Sequence, residues 1–185
     1  MSGLRVTAGP IEGVVLFTPT PFTDERGFFS RTFDATVAGT AGIDPASFVQ
    51  DSQSRSHRGV VRALHLRGGR GEAKLVRCSY GRVFDVVVDL RPGSPTFLRQ
   101  ACFELDDRSH RSVFIPAGCA HGWQALSEPA DVCYRIDREH DPAEDLTIAY
   151  DDPELAIRWP EPVTVVSARD RSAPRLRAVL PLLGA

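Results

Sequence analysis

Arg82-Val83-Phe84-Asp85-Val86-Val87-Val88-Asp89-Leu90, followed at once by Arg91-Pro92-Gly93-Ser94-Pro95, is the stretch that decides the fold. The first part is dominated by β-branched residues and reads as a strand. The second carries the Pro and Gly of a tight turn, after which Arg99–Leu105 resumes the strand pattern. The same grammar extends outward in both directions. Gly13–Thr18, Val60–Leu66 and Ala73–Cys78 precede it, and Arg111–Ile115, Gly122–Leu126 and Asp131–Ile136 follow. Tyr80-Gly81-Arg82 is expected to close a hairpin, and Ile115-Pro116-Ala117-Gly118 to end a strand just before Cys119-Ala120-His121-Gly122-Trp123. Strands at such close intervals, without long helices between them, predict an all-β sandwich or barrel. Thr32–Gly42 and Ala173–Leu183 are the helical candidates, the second interrupted by Pro181.

A chain of 185 residues is expected to be a single domain, 1–185. With 42% hydrophobic and 25% charged residues it has the composition of an ordinary soluble protein, and no apolar run approaches the length of a membrane span. Met1 is not followed by a signal-peptide pattern, which points to the cytoplasm. A formal net charge of −2 argues against nucleic-acid binding. Cys78, Cys102, Cys119 and Cys133 lie in strand-like contexts without metal-binding spacing, so they read as reduced, packed thiols. Lys74 is the one lysine among the basic residues. Either an arginine-favouring genome left it by chance, or position 74 requires a compact ammonium that a guanidinium cannot replace.

Two of the five histidines, His65 and His121, lie in strand contexts, while His57, His110 and His140 sit among charged residues. In Val61-Arg62-Ala63-Leu64-His65, period-2 alternation assigns Arg62 and Leu64 to one face and Val61, Ala63 and His65 to the other. A strand holding Arg and His amid aliphatics is unusual packing material.

Seven segments in order resemble the dTDP-4-dehydrorhamnose 3,5-epimerase family: Asp24-Glu25-Arg26-Gly27-Phe28-Phe29, Val61–His65, Ala73-Lys74-Leu75-Val76, Val83–Arg91, Gly93-Ser94-Pro95-Thr96-Phe97, Ile115–Trp123, and Asp151-Asp152-Pro153 with Ile157-Arg158-Trp159-Pro160. The resemblance implies a cupin jelly roll with a few short helices, one C-terminal, and a segment 163–185 closing over the site. It implies a homodimer acting on a dTDP-linked 4-keto-6-deoxyhexose, with neither metal nor other cofactor. His65 matches the general base and Asp170 its orienting carboxylate. Lys74 matches the cation for the enolate and Tyr134 the acid on the opposite face. Arg26, Arg62 and Arg169 match diphosphate ligands, Gln50 and Phe29 match positions around the base, and His121 matches a residue of the site wall. The chemistry is coherent: a C4 ketone acidifies the hydrogens on C3 and C5, an oriented imidazole removes one, and the oxyanion needs a cation.

Several positions depart from the family pattern. Ser30-Arg31 stands where a base-recognising glutamate is usual, Ala63 is expected to add a methyl beside His65, and Arg67-Gly68-Gly69-Arg70-Gly71 is expected to make a more flexible rim. His140 stands where the family has a tyrosine. These changes predict retained proton transfer with altered choice of substrate or carbon. Competing readings are a metal-dependent cupin, disfavoured because no second histidine lies near His65, a 3,4-ketoisomerase, and a catalytically silent sugar-nucleotide-binding cupin.

Overall fold

The computed structural model describes residues 3–183. Two antiparallel sheets face each other as a jelly roll. The first runs β1 (Leu4–Ala8), β2 (Val15–Pro19), β10 (Ser112–Ile115), β7 (Lys74–Tyr80), β12 (Ala130–Ile136), β5 (Gln50–Ser56). The second runs β13 (Asp145–Thr147), β6 (Val61–Arg67), β11 (Cys119–Ala125), β8 (Arg82–Asp89), β9 (Gln100–Asp106). A separate hairpin, β3 (Phe22–Asp24) with β4 (Gly27–Phe29), stands exposed. All eight segments predicted as strands form strands.

The near-continuous apolar run of β8 follows from burial on both faces. Val83 and Val87 point between the sheets with Val76, Val132, Leu105 and Trp123. Val86, Val88 and Leu90 point outward, beneath Leu155, Val166, Leu176 and Val179 of the C-terminal segment. Parity then places Asp85 inside the barrel, where it is 0% exposed. On the outer face of the first sheet, α1 (Ala35–Thr40) covers Phe17 and Leu75, and its N-cap Asp34 accepts the Val37 N–H at 3.1 Å. Within the predicted helical tail Ala173–Leu183, α3 (Leu176–Val179) runs into a 3-10 turn over Leu180–Leu183, where Pro181 lacks a donor, and a separate short helix, α2 (Ala168–Arg171), precedes it. No helix among the described residues is long and apolar enough to cross a membrane.

Tyr80-Gly81-Arg82 does not close a hairpin, because β7 and β8 belong to different sheets and the chain crosses between them here. Gly81 adopts φ 75°, and a Cβ there would lie 2.5 Å from the Pro129 carbonyl oxygen. The strands that sequence patterning misses are β1, the β3–β4 hairpin, β5 and β13. Strand β5 reads Gln50-Asp51-Ser52-Gln53-Ser54-Arg55-Ser56, too polar for a periodicity signal, and forms the edge of its sheet.

Strand β6 corrects the expected alternation. His65 pairs with His121 but Arg62 pairs with Trp123, so β6 carries one residue more than β11 between those pairs. This bulge turns Ala63 and Leu64 both toward the outer cluster and leaves Arg62 and His65 together on the interior side. The Ala63 methyl therefore does not sit beside the base. It packs against Gly122, where an added Cβ would come within 2.5 Å of the Ala63 Cβ and 2.9 Å of its Cα. Gly122→Ala is expected to lower stability by about 1–3 kcal/mol through overpacking, read as a lower urea midpoint with an unchanged m-value.

Candidate active site

Between the sheets opens a cavity of about 300 Å³, lined by Ser54, Arg62, His65, Leu66, Arg67, Glu72, Lys74, His121, Trp123, Tyr134, Ile136, Asp145 and Arg169. A slightly larger hollow of about 380 Å³ on the outer face of the first sheet is lined by Arg77, Arg135 and Phe33 and contains no histidine. Period-2 geometry explains the convergence. Lys74 faces inward with Val76 on β7, Tyr134 with Val132 on β12, and His121 with Trp123 on β11.

His65 Nε2 lies 2.7 Å from Asp170 Oδ1, a contact spanning 105 residues. Asp170 is 3% exposed and sits in α2, whose N-cap Ser167 accepts the Asp170 N–H at 3.0 Å. Burial alone would raise the Asp170 carboxyl, but the hydrogen bond and charge of His65, with the Ala63 N–H and Ser167, hold it below its ordinary value. An ionised carboxylate only accepts, so Nε2 is the donor and the neutral ring carries its lone pair on Nδ1. A second pair lies deeper, with His121 Nε2 2.7 Å from the fully buried Asp85 Oδ2.

Lys74 is 6% exposed, and its Nζ lies 2.8 Å from Glu72 Oε1. Glu72 Oε2 lies 2.8 Å from Arg67 Nε, and Arg67 is 3.5 Å from Asp145, which in turn holds Arg169 at 3.0 Å and His140 at 3.3 Å. One wall is thus a chain of alternating charges from Lys74 to Arg169. Glu72, Arg67 and Asp145 escaped sequence reasoning, because only the pairing of β6 with β13 brings Asp145 opposite Arg67.

Tyr134 faces the cavity from the first sheet. Its hydroxyl oxygen accepts the Trp123 Nε1–H at 2.6 Å, and its ring meets that of His121 edge-on at 6.3 Å between centroids. Burial pushes the hydroxyl up to about 12, against the nearby Ser54 hydroxyl and the Trp123 indole, which lower it. Arg62 places its guanidinium 5.8 Å from the Trp123 ring centroid.

Four residues singled out from the sequence do not line the cavity: Asp170, which sits behind His65, and Arg26, Phe29 and Gln50. Arg26 pairs with Asp24 within the β3–β4 hairpin and its side chain is 84% exposed. Phe29 is 71% exposed in the same hairpin. Gln50 begins β5, paired with Ile136, which does line the cavity. The glycine-rich rim is a tied turn: Gly71 N–H donates to the Gly68 carbonyl at 3.0 Å and Arg138 donates to the Gly71 carbonyl at 3.1 Å. Among the described residues, no group of three or more His, Cys, Asp or Glu is placed to hold a metal ion.

A jelly roll whose interior sets an imidazole–carboxylate pair across from an ammonium and a phenol defines a class, the cupin-type barrels equipped for acid–base chemistry. Comparison with known proteins makes the particular assignment. The chain belongs to the dTDP-4-dehydrorhamnose 3,5-epimerase family, whose model matches residues 8–178. It is 43% identical over 169 residues to the dTDP-4-dehydrorhamnose 3,5-epimerase of Pseudomonas aeruginosa, covering 91% of this chain and 93% of that one. It is also 42% identical over 174 residues to a dTDP-4-dehydrorhamnose 3-epimerase of Streptomyces niveus, covering 92% and 83%. Among solved structures, the Legionella pneumophila 3,5-epimerase in complex with dTDP-4-keto-L-rhamnose superposes with a TM-score of 0.91 at 38% identity, covering 97% of each chain.

Proposed function

We propose that this carbohydrate epimerase inverts C3, C5 or both in a dTDP-linked 4-keto-6-deoxyhexose, for deoxysugar biosynthesis. The observation that carries the reading is the 2.7 Å bond from His65 to a buried carboxylate, with Lys74 and Tyr134 lining the same cavity. His65 Nδ1 takes the proton from the carbon beside the ketone, and Asp170 stabilises the imidazolium that forms. Lys74 faces the charge that moves to the C4 oxygen. Tyr134 delivers a proton to the opposite face, so that exchange becomes inversion. His121, held by Asp85, completes the wall around the sugar.

Arg62 and Arg169 offer guanidinium forks to the diphosphate. Residues 163–183 belong to the same domain and close over the site, since they contribute both Arg169 and Asp170. Arg26, Phe29 and Gln50 serve the nucleotide end. The exposed hairpin, with Phe22, Phe28 and Phe29 each more than 60% exposed, reaches that end from a second copy in a homodimer. A reducing, cytoplasmic setting suits the four free cysteines, of which Cys78 and Cys119 are pushed up to about 12 by burial, although Cys102 is exposed rather than packed.

Incubation with dTDP-4-keto-6-deoxyglucose in heavy water, followed by NMR of the sugar, tests the reading. Deuterium is expected at C3, C5 or both, with inversion at the labelled carbon. A carbonyl moved from C4 to C3 would make the enzyme a ketoisomerase, and the absence of any exchange would leave a sugar-nucleotide-binding cupin.

A further inference from the structure

Tyr134 is gripped at two points, and only one of them is a packing contact. Its ring abuts His121, while its oxygen takes the indole N–H of Trp123 at 2.6 Å, from a side chain that is 1% exposed. An indole nitrogen donates and cannot accept, so the direction of this bond is unambiguous. The hydroxyl's own proton must therefore point away from Trp123. Ser54 from β5 lines the same cavity, and the charges of Asp85 on β8 and Arg62 on β6 act on the hydroxyl.

We propose that Trp123 is a positioning residue for proton delivery, its indole N–H aiming the Tyr134 hydroxyl at the reacting carbon and holding the phenolate that delivery leaves behind. The proposal rests on the reading of Tyr134 as the opposite-face acid. In that step the enolate's carbon–carbon electron pair forms the new C–H bond, the O–H bond of Tyr134 breaks, and the C4 oxyanion returns to a carbonyl. Tyr134 is left as phenolate and His65 as imidazolium, and both reset by exchanging protons with solvent. A neutral hydrogen bond from Trp123 thereby becomes charge-assisted at the moment the negative charge arrives, which strengthens it roughly twofold. Burial already disfavours the charged form of this hydroxyl, which makes such a donor matter more.

Trp123→Phe keeps the aromatic bulk and removes the donor. With dTDP-4-keto-6-deoxyglucose in heavy water, this variant is expected to invert at least about tenfold more slowly while His65-driven deuterium exchange with retention stays within about twofold of wild type. Loss of packing alone would lower both together, so exchange and inversion falling in the wild-type ratio would overturn the proposal. Tyr134→Phe separates the two levels of inference. If it shifts the ratio and Trp123→Phe does not, the role of Trp123 fails alone; if it leaves the ratio unchanged, the acid assignment fails and this proposal with it. A measurement independent of the Trp123 variant's folding uses indole ¹⁵N–H spectra of wild type and Tyr134→Phe. The Trp123 resonance is expected to move and to exchange faster with solvent in Tyr134→Phe, while that of Trp159, bonded to the Tyr150 carbonyl, stays put. An unmoved Trp123 resonance would overturn the proposal.

Discussion

His65→Ala is expected to abolish deuterium uptake from heavy water at the carbon beside the ketone, with kcat falling about 10²–10⁴-fold. His65 lines the cavity with Nε2 bonded to the 3% exposed Asp170, which leaves Nδ1 to take the proton, whereas the second imidazole of the cavity, His121, is itself 3% exposed and held by Asp85. The same substitution has a pH signature. In the wild type the folded Asp170 carboxyl lies below its unfolded value of about 3.9, so its contribution to stability is present above that pH and is lost as pH falls through the folded value. His65 supplies the largest of the lowering influences against a burial that raises the carboxyl. Without it, the carboxyl rises and that acid-side dependence shrinks, which urea melts between pH 3 and 7 would register. Retained exchange in His65→Ala would remove the residue from the mechanism.

Lys74→Met is expected to cost about 10²–10³-fold in kcat, the scale of losing one donor to a developing oxyanion. Exchange and inversion should fall together, because both pass through the enolate. That behaviour contrasts with Tyr134→Phe and Trp123→Phe, which act only after the enolate has formed. Lys74→Arg is not expected to restore the rate. The Nζ fits 2.8 Å from Glu72 in a site that is 6% exposed, and a planar fork needs more room than a compact ammonium. Wild-type turnover in Lys74→Arg would mean that charge alone suffices.

Of the departures expected to bear on the choice of carbon, Gly68, Gly69 and Gly71 line a separate hollow with Leu90 and Arg91, whereas His140 is tied to the cavity wall. His140 joins Asp145 at 3.3 Å, in the same charge chain that reaches Lys74 through Arg67 and Glu72. Ala63 no longer belongs with them, since its side chain is buried on the far side of the strand.

Strand content was legible because β-branched runs punctuated by Pro and Gly have few other uses. Polar strand β5 was not, since this edge is tied to β12 by polar side chains such as Gln53 and Arg55 on Asp131, which leave no apolar periodicity. Lys74 stood out by its solitude, and His65 and Tyr134 by their strand settings and family match. Glu72, Asp145 and Trp123 carried no such signal. Each gains its role from a partner brought by sheet pairing or by the closure of the barrel.

By itself, the sequence determined eight of the thirteen strands and the all-β class, which follow from local composition and spacing, while the jelly roll and the acid–base roles were expectations of the family resemblance. Tertiary structure alone decided which side chains meet. The bulge that turns Arg62 and His65 to one side arises from the register of β6 against β11, and the bond from His65 to Asp170 closes across 105 residues. A period-2 rule cannot see either, because strand register and chain closure are set by non-local partners.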